Sequence, residues 1–131
     1  MKKTVLLVED SRFLRMASQK DLAQAGFDVV GVGDGEAAIR MAREKLPDVI
    51  VLDMLLPLLS GPEVLSALKQ DPSTAAIPVI VLSGLSQRNE NKLMKQGASA
   101  YFEKSKLEGD EGFALLSEAI QKLTTTLEVT H

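Results

Sequence analysis

Five short apolar runs recur along the chain with amphipathic segments between them: TVLLV (4 to 8), FDVVGV (27 to 32), DVIVLD (48 to 53), IPVIVLS (77 to 83) and ASAYF (98 to 102). Each run has the length and β-branched bias of a strand. The first, third and fourth are continuously apolar, which predicts strands covered on both faces, as in a parallel sheet. Between them, Phe13, Leu14, Ala17, Leu22 and Ala25 fall on one face of a helix over 11–25 that Gly26 would end. Ala38, Ile39, Ala42 and Leu46 do the same over 36–46, before Pro47. SGPE (60 to 63) opens a third helix, with Ser60 and Glu63 spaced for a capping box. Two further helices are expected near 86–96, followed by Gly97, and near 110–126. A strand–helix unit repeated five times predicts an α/β fold, a doubly wound (βα)5 sandwich with right-handed crossovers.

At 131 residues the chain has the size of one domain. We expect the folded unit to span 1–126 and 127–131 to be a short tail. A net charge of -3, with no basic run, argues against direct nucleic-acid binding. The apolar stretch after the two N-terminal lysines is broken by Glu9 and Asp10, too early for a secretion signal, and no run suits a membrane span. A cytoplasmic protein is expected. There is no cysteine, and the single histidine is the last residue, His131. Thiolate and histidine chemistry are therefore excluded from the interior, leaving carboxylates, hydroxyls and lysines.

In open parallel sheets ligands sit beyond the carboxyl ends of the strands, where strand order reverses. The first strand ends at Glu9 and Asp10, the third at Asp53, the fourth at Ser83, and the fifth runs on to Lys104. If the order is 2-1-3-4-5, the first and third strands are neighbours and three carboxylates converge. Three acids so close either retain a proton or bind a cation. Oxygen-only ligands suit a hard divalent ion, and Mg²⁺ needs few protein groups because it keeps several waters.

VLLVEDS at the first strand, VLDMLLPLLSG at the third, IVLSG at the fourth and GASAYFEKS at the fifth resemble the motifs of response regulator receiver domains, over essentially the whole chain. The resemblance implies a flavodoxin-like parallel sheet in the order 2-1-3-4-5. It implies that Asp53 is the phosphoacceptor, taking a phosphoryl group from a histidine kinase or histidine phosphotransfer protein. Glu9, Asp10, Asp53 and the backbone carbonyl of Leu55 would hold Mg²⁺. Lys104 and Ser83 would contact the phosphoryl oxygens, and Ser83 with Tyr101 would form a switch that alters the face of helix four, strand five and helix five. That face is the expected surface for a downstream protein or a homodimer. Catalysis would be confined to the domain's own phosphorylation and dephosphorylation.

Two departures stand out. Ser105 follows Lys104 where the family carries a cis proline, and a cis bond before serine costs about 2.5 to 4 kcal/mol. Leu55 and Leu85 occupy the positions that tune dephosphorylation, and apolar side chains cannot orient an attacking water, so slow loss of the phosphoryl group is expected. Other readings are a phosphorylation-independent interaction module, a fragment of a larger regulator, or an enzyme on a similar sheet. The intact set Glu9, Asp10, Asp53, Ser83 and Lys104 argues against the first. An acidic loop after the first strand repels a flavin phosphate, and a phosphatase of the haloacid dehalogenase type would need a DxD pattern there that is missing.

Overall fold

The computed structural model describes residues 2–84 and 90–129. Strands β1 (Thr4–Val8), β2 (Asp28–Val32), β3 (Val49–Asp53), β4 (Val79–Ser83) and β5 (Ala100–Glu103) alternate with helices α1 (Arg12–Gln24), α2 (Gly35–Lys45), α3 (Gly61–Gln70), α4 (Glu90–Lys95) and α5 (Gly109–Val129). A 3₁₀ turn, Lys104–Leu107, joins β5 to α5. The five strands form one parallel sheet in the order β2-β1-β3-β4-β5. The expected architecture and order are both present.

Alternate residues of the central strands serve opposite faces. Leu6, Val8, Ile50, Leu52, Val79 and Val81 pack against Ala38 and Ala42 of α2, Val64, Leu65 and Leu68 of α3, and Leu93 of α4. Val5, Leu7, Val49, Val51 and Ile80 pack against Leu22 of α1 and Leu116 and Ile120 of α5. Every residue of β3 is buried. A strand covered on both faces gains nothing from polar alternation, which explains the uninterrupted apolar run. Each fully buried aliphatic side chain contributes about 1.5 to 3 kcal/mol.

The helix ends follow local chemistry. Ser11, Asp34 and Ser60 cap α1, α2 and α3 by accepting from the N–H groups of Leu14, Ala37 and Glu63. Only half of the anticipated capping box is present: Glu63 N–H donates to the Ser60 hydroxyl at 3.4 Å, while the Glu63 carboxylate accepts from that hydroxyl at 3.1 Å in place of the Ser60 N–H. Leu46 ends α2 in the left-handed region at φ 45°, a conformation that glycine adopts without strain.

Several expectations are corrected. Phe13 and Leu14 do not face the core; they are 80% and 45% exposed, and Leu22 is the buried residue of α1. The half-buried residues on that side of α1 are Arg15, Ser18 and Gln19. They fit because β2 carries glycine beneath them: a Cβ on Gly31 would sit 2.7 Å from Gln19 Cδ, and one on Gly33 3.0 Å from Arg15 Nη1. Leu46 is also exposed, since its left-handed turn swings it off the α2 stripe. The fifth strand lies two residues later than its apolar run began, and the last helix extends to Val129. The expected start of the fourth helix at 86, and Leu85, lie outside the described residues.

Candidate functional site

The carboxyl ends of β1 and β3 lie side by side, with Val8 in register with Leu52. Glu9 continues β1 and is fixed there by its N–H, which donates to the Val32 carbonyl at 3.0 Å. Asp53 is the last residue of β3, and the following N–H, of Met54, donates to the Leu82 carbonyl at 2.9 Å. Both side chains are almost wholly enclosed, Glu9 at 6% and Asp53 at 2% exposure, whereas Asp10 is exposed. Oxygens of Glu9, Asp10 and Asp53 lie within 4.8 Å of one another.

Each buried carboxylate is held in the same way. One oxygen accepts from the backbone two residues on: Leu55 N–H donates to Asp53 Oδ1 at 3.0 Å, and Ser11 N–H to Glu9 Oε2 at 3.1 Å. The other oxygen accepts from Lys104, whose Nζ is 2.7 Å from Asp53 Oδ2 and 2.9 Å from Glu9 Oε1. One ammonium therefore bridges the ends of β1 and β3. Because the pair is enclosed, losing the ammonium would leave two buried charges uncompensated, the arrangement that costs most.

Three carboxylates against one ammonium leave two negative charges in the cluster. That surplus equals the charge of a divalent ion, and the donor set is oxygen only, as Mg²⁺ or Ca²⁺ requires. Mg²⁺ holds opposite ligands about 4.2 Å apart, twice its bond length. The observed spread of up to 4.8 Å thus needs only a small closure or a bridging water. The residues fit a divalent cation.

Burial pushes the Lys104 ammonium down, but its hydrogen bonds and attraction to Asp53 and Glu9 outweigh this and raise it above the ordinary 10.5. A raised value means stabilisation that is fully present below 10.5 and is lost as pH rises through the folded-state value. In metal-free protein, urea-unfolding midpoints are expected to decline at pH above 10.5, and Lys104→Met should decline less over the same span. Parallel alkaline curves for the two proteins would contradict this.

The remaining candidates are placed as follows. Ser83 ends β4, fully buried, in register with Glu103. Tyr101 is half-buried, in register with Val81, and packs against the core on the α2–α3 side. The Leu55 side chain is 82% exposed. The Lys104–Ser105 peptide bond is trans, so the lysine reaches the acids without the cis bond that proline would favour. Arg15 was not singled out from the sequence, yet its Nη1 donates to the backbone carbonyl of Glu9 at 2.8 Å. Its place opposite Gly33 is a tertiary relation that no local pattern reports.

Residues 5–123 match the family described as "Response regulator receiver domain". The polar-differentiation response regulator DivK of Brucella anthropi is 37% identical over 106 residues, which is 79% of this chain and 85% of DivK. Among solved structures, the receiver domain of Francisella response regulator 1452 superposes with a TM-score of 0.86 at 25% identity, covering 96% of this chain and 99% of that one. The receiver domain of the sensor histidine kinase PA1611 from Pseudomonas aeruginosa PAO1, described with a magnesium ion coordinated in its active site cleft, gives 0.81 at 25% identity, covering 95% and 99%.

Proposed function

This chain belongs to the response regulator receiver domain family, the signalling modules of two-component systems, and from that membership we propose that Asp53 is its phosphoacceptor. The single observation that carries the proposal is the Lys104 ammonium spanning Glu9 and Asp53 at the end of β3. A carboxylate buried to that degree beside one ammonium and two further acids is suited to charge neutralisation during phosphoryl transfer.

An Asp53 carboxylate oxygen attacks the phosphorus of a partner's phosphohistidine. A P–O bond forms, the P–N bond breaks, and the departing imidazole nitrogen keeps the electron pair. The Leu55 N–H holds Asp53 in aim through Oδ1. Lys104 leaves the carboxylate for an oxygen of the incoming group, and Ser83 donates its hydroxyl to another. Glu9, Asp10, Asp53 and the Leu55 carbonyl would hold Mg²⁺, which supplies the positive charge that offsets the phosphoryl oxygens. A groove of about 660 Å³ between α1 and α5, lined by Leu14, Leu107 and Phe113, reaches Glu9 and Lys104 beside the cluster. The donor is a histidine kinase or histidine phosphotransfer protein in the cytoplasm.

Withdrawal of Ser83 toward the phosphoryl group makes room for Tyr101 to turn inward. The surface of α4, β5 and α5 changes with it, as a population shift biased by one new charged group. A downstream protein, or a second copy of the chain, reads that surface. The exposed, apolar Leu55 cannot orient water beside Asp53, so the acyl phosphate is long-lived. Turnover is confined to this one group on the domain itself.

Incubation with acetyl phosphate and Mg²⁺, followed by intact mass, should show a gain of one phosphoryl group that EDTA abolishes. A gain that is unaffected by chelation would refute the cation's role, and no gain in repeated trials with phosphoramidate as well would refute the acceptor.

A further inference from the structure

Glu9 and Asp53 are each anchored by two hydrogen bonds, one to a backbone N–H and one to Lys104. Asp10 is different. It is exposed, and among the described residues no hydrogen bond or ion pair holds its carboxylate. Yet its oxygen lies within 4.8 Å of those of the two buried acids. Three negative groups at that distance repel one another, so something other than the side chain's own contacts must keep Asp10 in place.

The backbone from which Asp10 departs is itself held. The carbonyl of Glu9 and the N–H of Asp10 belong to one rigid peptide plane, so fixing the carbonyl fixes the direction from which Asp10 departs. Arg15, one turn into α1, donates to that carbonyl from Nη1 at 2.8 Å. On the other side of Glu9, its N–H is tied to Val32 of β2 at 3.0 Å. The guanidinium can lie there because residue 33 is glycine, where a Cβ would come within 3.0 Å of Nη1. α1 therefore turns a charged residue toward the sheet against the Glu9 carbonyl and leaves Phe13 and Met16 in solvent.

We infer that Arg15 is a positioning residue for the divalent-cation site, holding the Glu9–Asp10 peptide so that the Asp10 carboxylate stays beside those of Glu9 and Asp53. The inference rests on the reading of this cluster as a Mg²⁺ site. It assigns Arg15 no contact with the ion or with a phosphoryl group. Groups that orient metal ligands from behind are worth about 10- to 100-fold in metal affinity.

The test is calorimetric titration with Mg²⁺ of the wild type, Arg15→Met and Arg15→Lys, with thermal unfolding in EDTA as the measure of folding. Both variants are expected to bind Mg²⁺ at least about tenfold more weakly. They should fold in EDTA, and the rise in unfolding temperature that Mg²⁺ gives should shrink, which a purely structural role would not cause. Arg15→Lys keeps the charge but loses the planar fork. Arg15→Met binding within about twofold of wild type would overturn the inference, as would binding tighter than wild type, which is what loss of a nearby positive charge alone would give. A wild-type protein that binds no Mg²⁺ removes the site itself, and the inference with it; intact wild-type binding with unaffected variants removes only the inference.

Discussion

Asp53→Asn gains no phosphoryl group under conditions in which the wild type gains one. The substitution is nearly isosteric, and Asp53 sits at 2% exposure with both oxygens engaged, so the loss cannot be assigned to a change of shape. Asparagine's carbonyl oxygen can still accept the Leu55 N–H. Its NH₂, however, would face the Lys104 ammonium where Oδ2 now lies 2.7 Å away, donor against donor. The nucleophile is removed and its cation loosened in one step. Circular dichroism should show the fold retained, because the apolar packing of β3 is untouched. If the variant still took up a phosphoryl group, the acceptor would be another group, with the exposed Asp10 the first to examine.

The second large effect is on stability. Gly61→Ala is expected to lower stability by about 3 kcal/mol or more, the upper end for forced overpacking. A Cβ at this position would lie 2.4 Å from Met54 Cα and 2.9 Å from the Asp53 carbonyl oxygen, and backbone cannot step aside as a side-chain end can. The start of α3 is laid against the chain leaving β3, and the Gly61 N–H donates to the Met54 carbonyl at 3.1 Å. The push therefore lands on the peptide next to Asp53. For a domain of this size the unfolding temperature should fall on the order of 10 °C. Gly84→Ala is the control: among the described residues nothing lies within 4 Å of a Cβ added there, so a change within about 0.5 kcal/mol is expected. Equal midpoints for the two variants in urea would show that the close approach at Gly61 carries no cost.

Much of this was legible in the sequence, and the reasons are physical. The runs at β1, β3 and β4 are almost uninterruptedly apolar because those strands are covered on both faces, as a parallel sheet between two layers of helices requires. Glu9, Asp10 and Asp53 stand out because a charge that closes such a run is expensive without partners. The edge strands were less sharply bounded: β2 and β5 are only partly buried, so their polar and apolar residues mix. The facing of α1 is not legible in its sequence. Its apolar residues suggested a stripe through Phe13 and Leu14, but the helix is turned by the space above Gly31 and Gly33, a relation between two elements. The same blindness hid Arg15. Its stripe, with Ser18, Gln19 and Leu22 at helical spacing, is visible afterwards as the one that faces the sheet. The peptide after Lys104 was left open by the sequence, since Ser105 permits either geometry at different cost; it is trans.

In the proposed reaction one oxygen of Asp53 becomes the bridge to phosphorus. The most direct measurement is to load the protein with acetyl phosphate and Mg²⁺, reduce it with borohydride, which converts an aspartyl phosphate to homoserine, and map the product by tandem mass spectrometry. Homoserine is expected at position 53 and nowhere else. Homoserine at Asp10 or at any other aspartate, with Asp53 recovered unchanged, would contradict it.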